Sequence, residues 1–224
     1  FTLSPHQSIF KISLNNINVI KSKNIKKYLL TANMETAVNI FWDSQTKNKN
    51  KILIIGLGSV GLLTAYYFKL KGYKNLYVTD INTNKRKISK KLNLNFINFS
   101  KINNLDCIIN TTSSYEILNA CFTKLNLDGK VVEASWYGHN AGKLNLGNDF
   151  HSKRLKIFSS QVSNIPAHMQ KTQTYKSRLK IAIDSLSDDK LMYLINSTSK
   201  FENLEKDYIS ILNNKNIIMH AVKY

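Results

Sequence analysis

The chain has 224 residues, 43% of them hydrophobic and 21% charged, the balance of a folded protein rather than a disordered or fibrous one. Its formal net charge of +18 comes almost wholly from lysine, Arg86, Arg154 and Arg178 being the only arginines; a nucleic-acid reader leans on the arginine fork, and with Asn and Ile also abundant the excess reads as coding bias spread over the surface, so no nucleic-acid partner is expected. The uncharged stretch 52–68 is short for a membrane span and is interrupted by three glycines, and no secretory segment is visible, so no membrane partner is expected either.

From the first residue, Phe10, Ile12 and Leu14 alternate with polar neighbours and are followed by Ile17 and Val19, which predicts strand material over 1–20. Leu29, Leu30, Met34, Val38 and Phe41 then recur at helical spacing over 24–42, and 43–50 is a polar connector. A regular alternation follows: strand 51–55, helix 59–71 with Gly72 where a C-terminal cap belongs, strand 76–80, helix 83–92, a short strand near 96–99, strand 107–110, helix 115–125 and strand 130–133. Strands alternating with helices imply a parallel sheet with right-handed crossovers. Another strand, at an edge, is expected over 155–161, then helix 175–186, a brief apolar run 191–195, helix 204–213 and a last strand 217–222. Cys107 and Cys121 read as buried thiols of a reducing, cytoplasmic compartment, and two cysteines cannot make a cysteine-rich zinc site.

The chemistry centres on Gly56-Leu-Gly58-Ser59-Val60-Gly61, which follows an apolar strand, opens a helix and is answered by Asp80 at the end of the next strand. In a dinucleotide-binding βαβ unit the first glycine permits the tight turn, the second lets the backbone approach a pyrophosphate, and the third lets helix and strand pack closely. The helix opening at Ser59 offers unpaired N–H groups and a positive dipole end to phosphate. Asp80 would accept hydrogen bonds from the ribose hydroxyls of NAD and repel the 2′-phosphate of NADP. Lys85 and Arg86 nearby soften that preference. Thr111, Thr112 and Ser113 end the fourth main strand, and Ser135 follows the fifth, where open α/β sheets bind ligands. The five histidines lack paired ligand spacing, no nucleophile elbow or P-loop is present, and the one Tyr-x-x-x-Lys, Tyr67 to Lys71, lies on the first long helix rather than where short-chain dehydrogenases carry it.

With these residues in place, the chain resembles the C-terminal two-thirds of a medium-chain, zinc-type alcohol dehydrogenase. The carriers are Asn33-Met-Glu-Thr-Ala37, the glycine turn, Asp80, Thr111–Ser113, Ser135-Trp-Tyr-Gly138, and Phe150-His-Ser-Lys-Arg-Leu155 running into Ser159-Ser-Gln-Val162, with Ser4-Pro-His-Gln7 and Met219-His-Ala-Val-Lys-Tyr224 at the two ends. The resemblance implies a Rossmann-type doubly wound α/β domain at 31–190, flanked by remnant strands of a GroES-like β domain at 1–30 and 191–224, in an N-terminally incomplete chain. It further implies an NAD-dependent oxidoreductase moving a hydride between an alcohol and its carbonyl, with Thr111 and Thr112 on the adenosine side and Ser135 near the nicotinamide. The resemblance leaves room for zinc in a complete protein, with Glu35 as a third or exchangeable ligand, but the residue itself reads first as a first-turn acid favoured by the helix dipole. Ser159–Gln161 either holds the carboxamide or forms an edge that joins two subunits in a homodimer. Two other readings stand beside this one: a dinucleotide-binding regulatory module, and an inactive truncated remnant that keeps the cofactor.

Overall fold

The computed structural model describes residues 7–14 and 17–224. Six strands form one parallel sheet in the order β3-β2-β1-β4-β5-β6: β1 Ile52–Ile55, β2 Leu76–Thr79, β3 Asn95–Phe96, β4 Leu105–Asn110, β5 Leu125–Glu133 and β6 Lys156–Ser159. The connections carry α2 Ser59–Leu70, α3 Lys85–Lys91, α4 Tyr115–Lys124 and α5 Asn148–Ser152; α1 Thr31–Ser44 precedes the sheet and α6 Tyr175–Asp184 follows it. The order reverses between β1 and β4, so their C-terminal ends open a crevice between two βαβ halves.

Burial on both faces explains the apolar strands. Ile52, Ile54, Cys107, Ile109 and Val132 pack in one cluster with α1, α2 and α6, while Leu53, Ile55, Ile108 and Val131 pack in another with Leu118, Cys121 and Phe122 of α4. On the first face Phe41 meets Tyr67 and Phe68 edge-on, with ring centroids 5.2 and 4.9 Å apart, which locks α1 onto α2. Both cysteines are free and buried, in agreement with the sequence reading. No helix among the described residues is long and apolar enough to cross a membrane.

The ends of the chain differ from expectation. Residues 7–14 and 17–20 contain no strand, and Ile9, Leu14 and Val19 are exposed; their alternation is a local signal, but a strand also needs an edge to bond with, and these residues meet none. Phe1–His6, Asn15 and Asn16 lie outside the described residues, and with them most of the Ser4–Gln7 motif. The helix expected over 24–42 divides into a 3₁₀ turn, Lys26–Leu30, and α1. Near the C-terminus the apolar run 191–195 is divided: its first four residues belong to a 3₁₀ turn, Asp189–Leu194, and Ile195 opens an unforeseen strand, β7 Ile195–Lys200, which pairs in parallel with β8 Met219–Lys223 across α7 Leu204–Asn213.

Candidate functional site

The glycine loop leaves β1 at the crevice. Gly56 has φ +92°, and a Cβ there would stand 2.7 Å from Thr111 Oγ1. A Cβ on Gly61 would stand 1.9 Å from the carbonyl oxygen of Gly56, so α2 can cross the loop only with a bare backbone at that position. Gly58 is different. Its φ of −73° and ψ of −170° are open to any residue, and a Cβ there would meet no protein atom within 4 Å. Neither backbone conformation nor protein packing calls for a glycine at Gly58. It is the N-cap of α2, no side chain caps that terminus, and the first-turn amides are left for another acceptor.

Side chains on both flanks hold the loop in place. The Thr111 hydroxyl contacts the carbonyl oxygens of Ile55 and Gly56 at 3.0 and 2.8 Å. On the other flank, the Leu57 amide donates to Asp80 Oδ2 at 2.6 Å and the Asn82 amide to Asp80 Oδ1 at 2.7 Å. Asp80 therefore braces the glycine loop as well as standing at the end of β2, and each carboxylate oxygen keeps a lone pair beyond these bonds. Asn33 Nδ2 on α1 donates to Ser59 Oγ at 2.8 Å, fixing the first residue of α2. Val60 is half-buried beside it.

Across the crevice the ends of β4 and β5 share a polar cluster that sequence reasoning did not find. Asn110 Nδ2 donates to Glu133 Oε2 at 2.7 Å, Tyr137 OH donates to the same oxygen at 3.1 Å, and the Ser135 amide donates to Oε1 at 3.0 Å. Thr112 Oγ1 donates to Asn110 Oδ1 at 2.7 Å, and Ser135 Oγ accepts from the Ser113 amide at 3.0 Å. Burial, reinforced by the charge of Glu133, pushes the Tyr137 hydroxyl far above its ordinary 10.0, so it stays protonated and donates. The sequence did hold one signal for this cluster: Glu133 is a lone acid ending the apolar run Val131-Val132. Two exposed apolar side chains, Ile81 after β2 and Trp136 after β5, stand at the rims.

Glu35 lies elsewhere in the network. Its Oε1 accepts from Arg178 Nε at 3.1 Å, and Arg178, only 3% exposed, donates through Nη1 to Asn39 Oδ1 at 2.6 Å. The carboxylate is thus the counter-ion of a buried guanidinium that ties α6 to α1. Among the described residues no group of three or more His, Cys, Asp or Glu is placed to hold a metal ion. Ser160 and Gln161, beyond β6, contact the same region: Ser160 Oγ donates to Asp43 Oδ2 at 2.6 Å and the Gln161 carbonyl accepts from Asn39. Burial raises Asp43 above the usual carboxylate value, against the pull of Ser160.

No family model matches the chain. Among curated proteins it is similar to probable polyketide synthase 40 of Dictyostelium discoideum, at 26% identity in a 193-position alignment that covers 75% of this chain and 7% of that protein's length. Among solved structures it is similar to an alcohol dehydrogenase from Thermotoga maritima, with TM-score 0.75 and 14% identity over 92% of this chain and 60% of that one. It is also similar to acetophenone reductase from Geotrichum candidum in complex with NAD, with TM-score 0.63 and 15% identity over 84% of this chain and 53% of that one. The chain shares the Rossmann-containing fold of these two proteins and spans a little over half the length of each.

Proposed function

We propose that this chain is the cofactor-binding part of an NAD-dependent oxidoreductase of the alcohol dehydrogenase type, interconverting an alcohol and its carbonyl compound. The observation that carries the reading is Gly58: an unrestrained backbone at the uncapped start of α2, with open space where a side chain would stand, beside an acid at the end of β2. The pyrophosphate would lie on the amides of Gly58 to Gly61, where the helix dipole favours negative charge. Asp80, already oriented by two backbone amides, would take the adenosine ribose hydroxyls on its remaining lone pairs and disfavour a 2′-phosphate. The nicotinamide half would then fall across β4 and β5, near Ser135.

When bound, the nicotinamide accepts or gives the hydride. The residues of this chain hold the dinucleotide, with Thr111 and Asp80 keeping the phosphate loop rigid so that little ordering is needed on binding. The buried free thiols suit a reducing, cytoplasmic setting. β6 ends the sheet, and its outer edge would serve a homodimer. The test is reduction of NAD, followed at 340 nm, by the full-length gene product with a panel of primary and secondary alcohols. Alcohol-dependent NADH formation for which Gly58→Ala raises the NAD concentration needed by roughly ten- to a hundred-fold supports the reading. Tight NAD binding with no turnover on any alcohol or carbonyl compound would remove the oxidoreductase assignment.

A further inference from the structure

Among the described residues Glu133 is the one acidic side chain that is buried outright, 9% exposed, and no cationic side chain of those residues makes an ion pair with it. Three neutral donors satisfy it: Asn110 Nδ2 at 2.7 Å, Tyr137 OH at 3.1 Å and the Ser135 amide at 3.0 Å. Buried carboxylates are ordinarily paired with a cation or a metal, because dipoles alone only partly replace the water they lose. An uncompensated charge kept at a strand end, in the crevice where ligands bind, is therefore suited to a ligand that brings positive charge with it.

The position says which part of the ligand that is. Glu133 is the last residue of β5 and stands opposite Asn110, the last of β4, in the half of the sheet away from Asp80. If Asp80 marks the adenosine half, the second mononucleotide lies over β4 and β5. That half carries a formal positive charge on the oxidised nicotinamide ring and none on the reduced ring. We propose that Glu133 is a positioning residue for redox state: its negative charge favours oxidised NAD over NADH at this crevice, while Asn110, Ser135 and Tyr137 hold it in place. The inference rests on the dinucleotide reading of the crevice.

The test is calorimetric titration of the protein with NAD+, NADH and ADP-ribose, repeated on Glu133→Gln, Glu133→Asp and Tyr137→Phe. Glu133→Gln should raise the ratio of the NAD+ to the NADH dissociation constant roughly tenfold, the equivalent of about 1.4 kcal/mol, with ADP-ribose affinity unchanged. Glu133→Asp and Tyr137→Phe keep the charge and should keep the ratio. An unchanged ratio in Glu133→Gln overturns the inference and leaves the dinucleotide site standing, whereas failure of ADP-ribose to bind the unaltered protein removes the site itself. Should Glu133→Gln not fold, Glu133→Met removes the charge at similar volume, and an unchanged ratio there overturns the inference.

Discussion

Replacing Gly58 with alanine separates binding from folding, because the two effects can be worked out independently. The backbone at Gly58 lies in a region that alanine enters freely, and the added methyl group meets no protein atom within 4 Å. Restricting the unfolded chain would stabilise the fold by about 0.4–1 kcal/mol, and losing glycine for alanine at an N-cap costs about 0.5–1 kcal/mol. These offset, so the midpoint of urea unfolding should stay where it is. For a bound dinucleotide the same methyl group stands between the loop and the pyrophosphate. Losing one charge-assisted hydrogen bond to phosphate costs about 1.5–3 kcal/mol, a weakening of roughly ten- to a hundred-fold in dissociation constant. Gly61→Ala is the contrasting variant: its methyl group would stand 1.9 Å from the Gly56 carbonyl oxygen, and overpacking of that kind destabilises by about 1–3 kcal/mol. Paired urea melts and NAD titrations read both quantities. Unchanged NAD affinity in a fully folded Gly58→Ala protein would refute the placement of phosphate on the α2 terminus.

Asp80→Asn should keep the brace on Leu57 in part, weaken NAD about tenfold by titration, and narrow the gap between NAD and NADP. Glu35→Gln leaves Arg178 buried without its counter-ion and should cost about 3 kcal/mol of stability in denaturant melts, with much of it regained when Arg178 is also made methionine; equal stability of Glu35→Gln would show that the pair is dispensable. Asp106 is pushed upward by burial, but the Lys51 amide, Asn126 and Asn50 outweigh this and hold it below its ordinary 3.8. Its contribution to stability is therefore present above 3.8 and lost as pH falls through the lower folded-state value. The acid limb of a pH–Tm profile should be shallower in Asp106→Asn, and an identical limb would contradict the assignment.

The glycine loop and its place between β1 and α2 could be read from the sequence because each of the signals is local: an apolar strand, three glycines at fixed spacing, a helical face and an acid nineteen positions on. What escaped depends on contacts remote in sequence. Glu133 meets Asn110 only because β5 lies beside β4, and Glu35 is the counter-ion of Arg178, 143 residues further on, a contact that no local pattern announces. β7 hid because its residues after Ile195 are polar, and only its pairing with β8 makes it a strand. The N-terminal alternation failed in the opposite sense, with the local pattern present and no partner edge among the described residues to complete it. Thr111 and Ser135 stand at the strand ends where the sequence put them, but their hydroxyls bond to neighbouring loop backbone, a supporting part that position alone does not reveal.

The central claim is that linked phosphates sit on the first turn of α2. Amide chemical shifts of the isotope-labelled protein, followed during titration with NAD at up to millimolar concentration, address it directly. The account predicts saturable shifts concentrated at Gly58, Ser59, Val60 and Gly61, with Asn82 and Ser113 moving less. No shifts at that turn, or shifts confined to the lysine-lined face of α3, would contradict it.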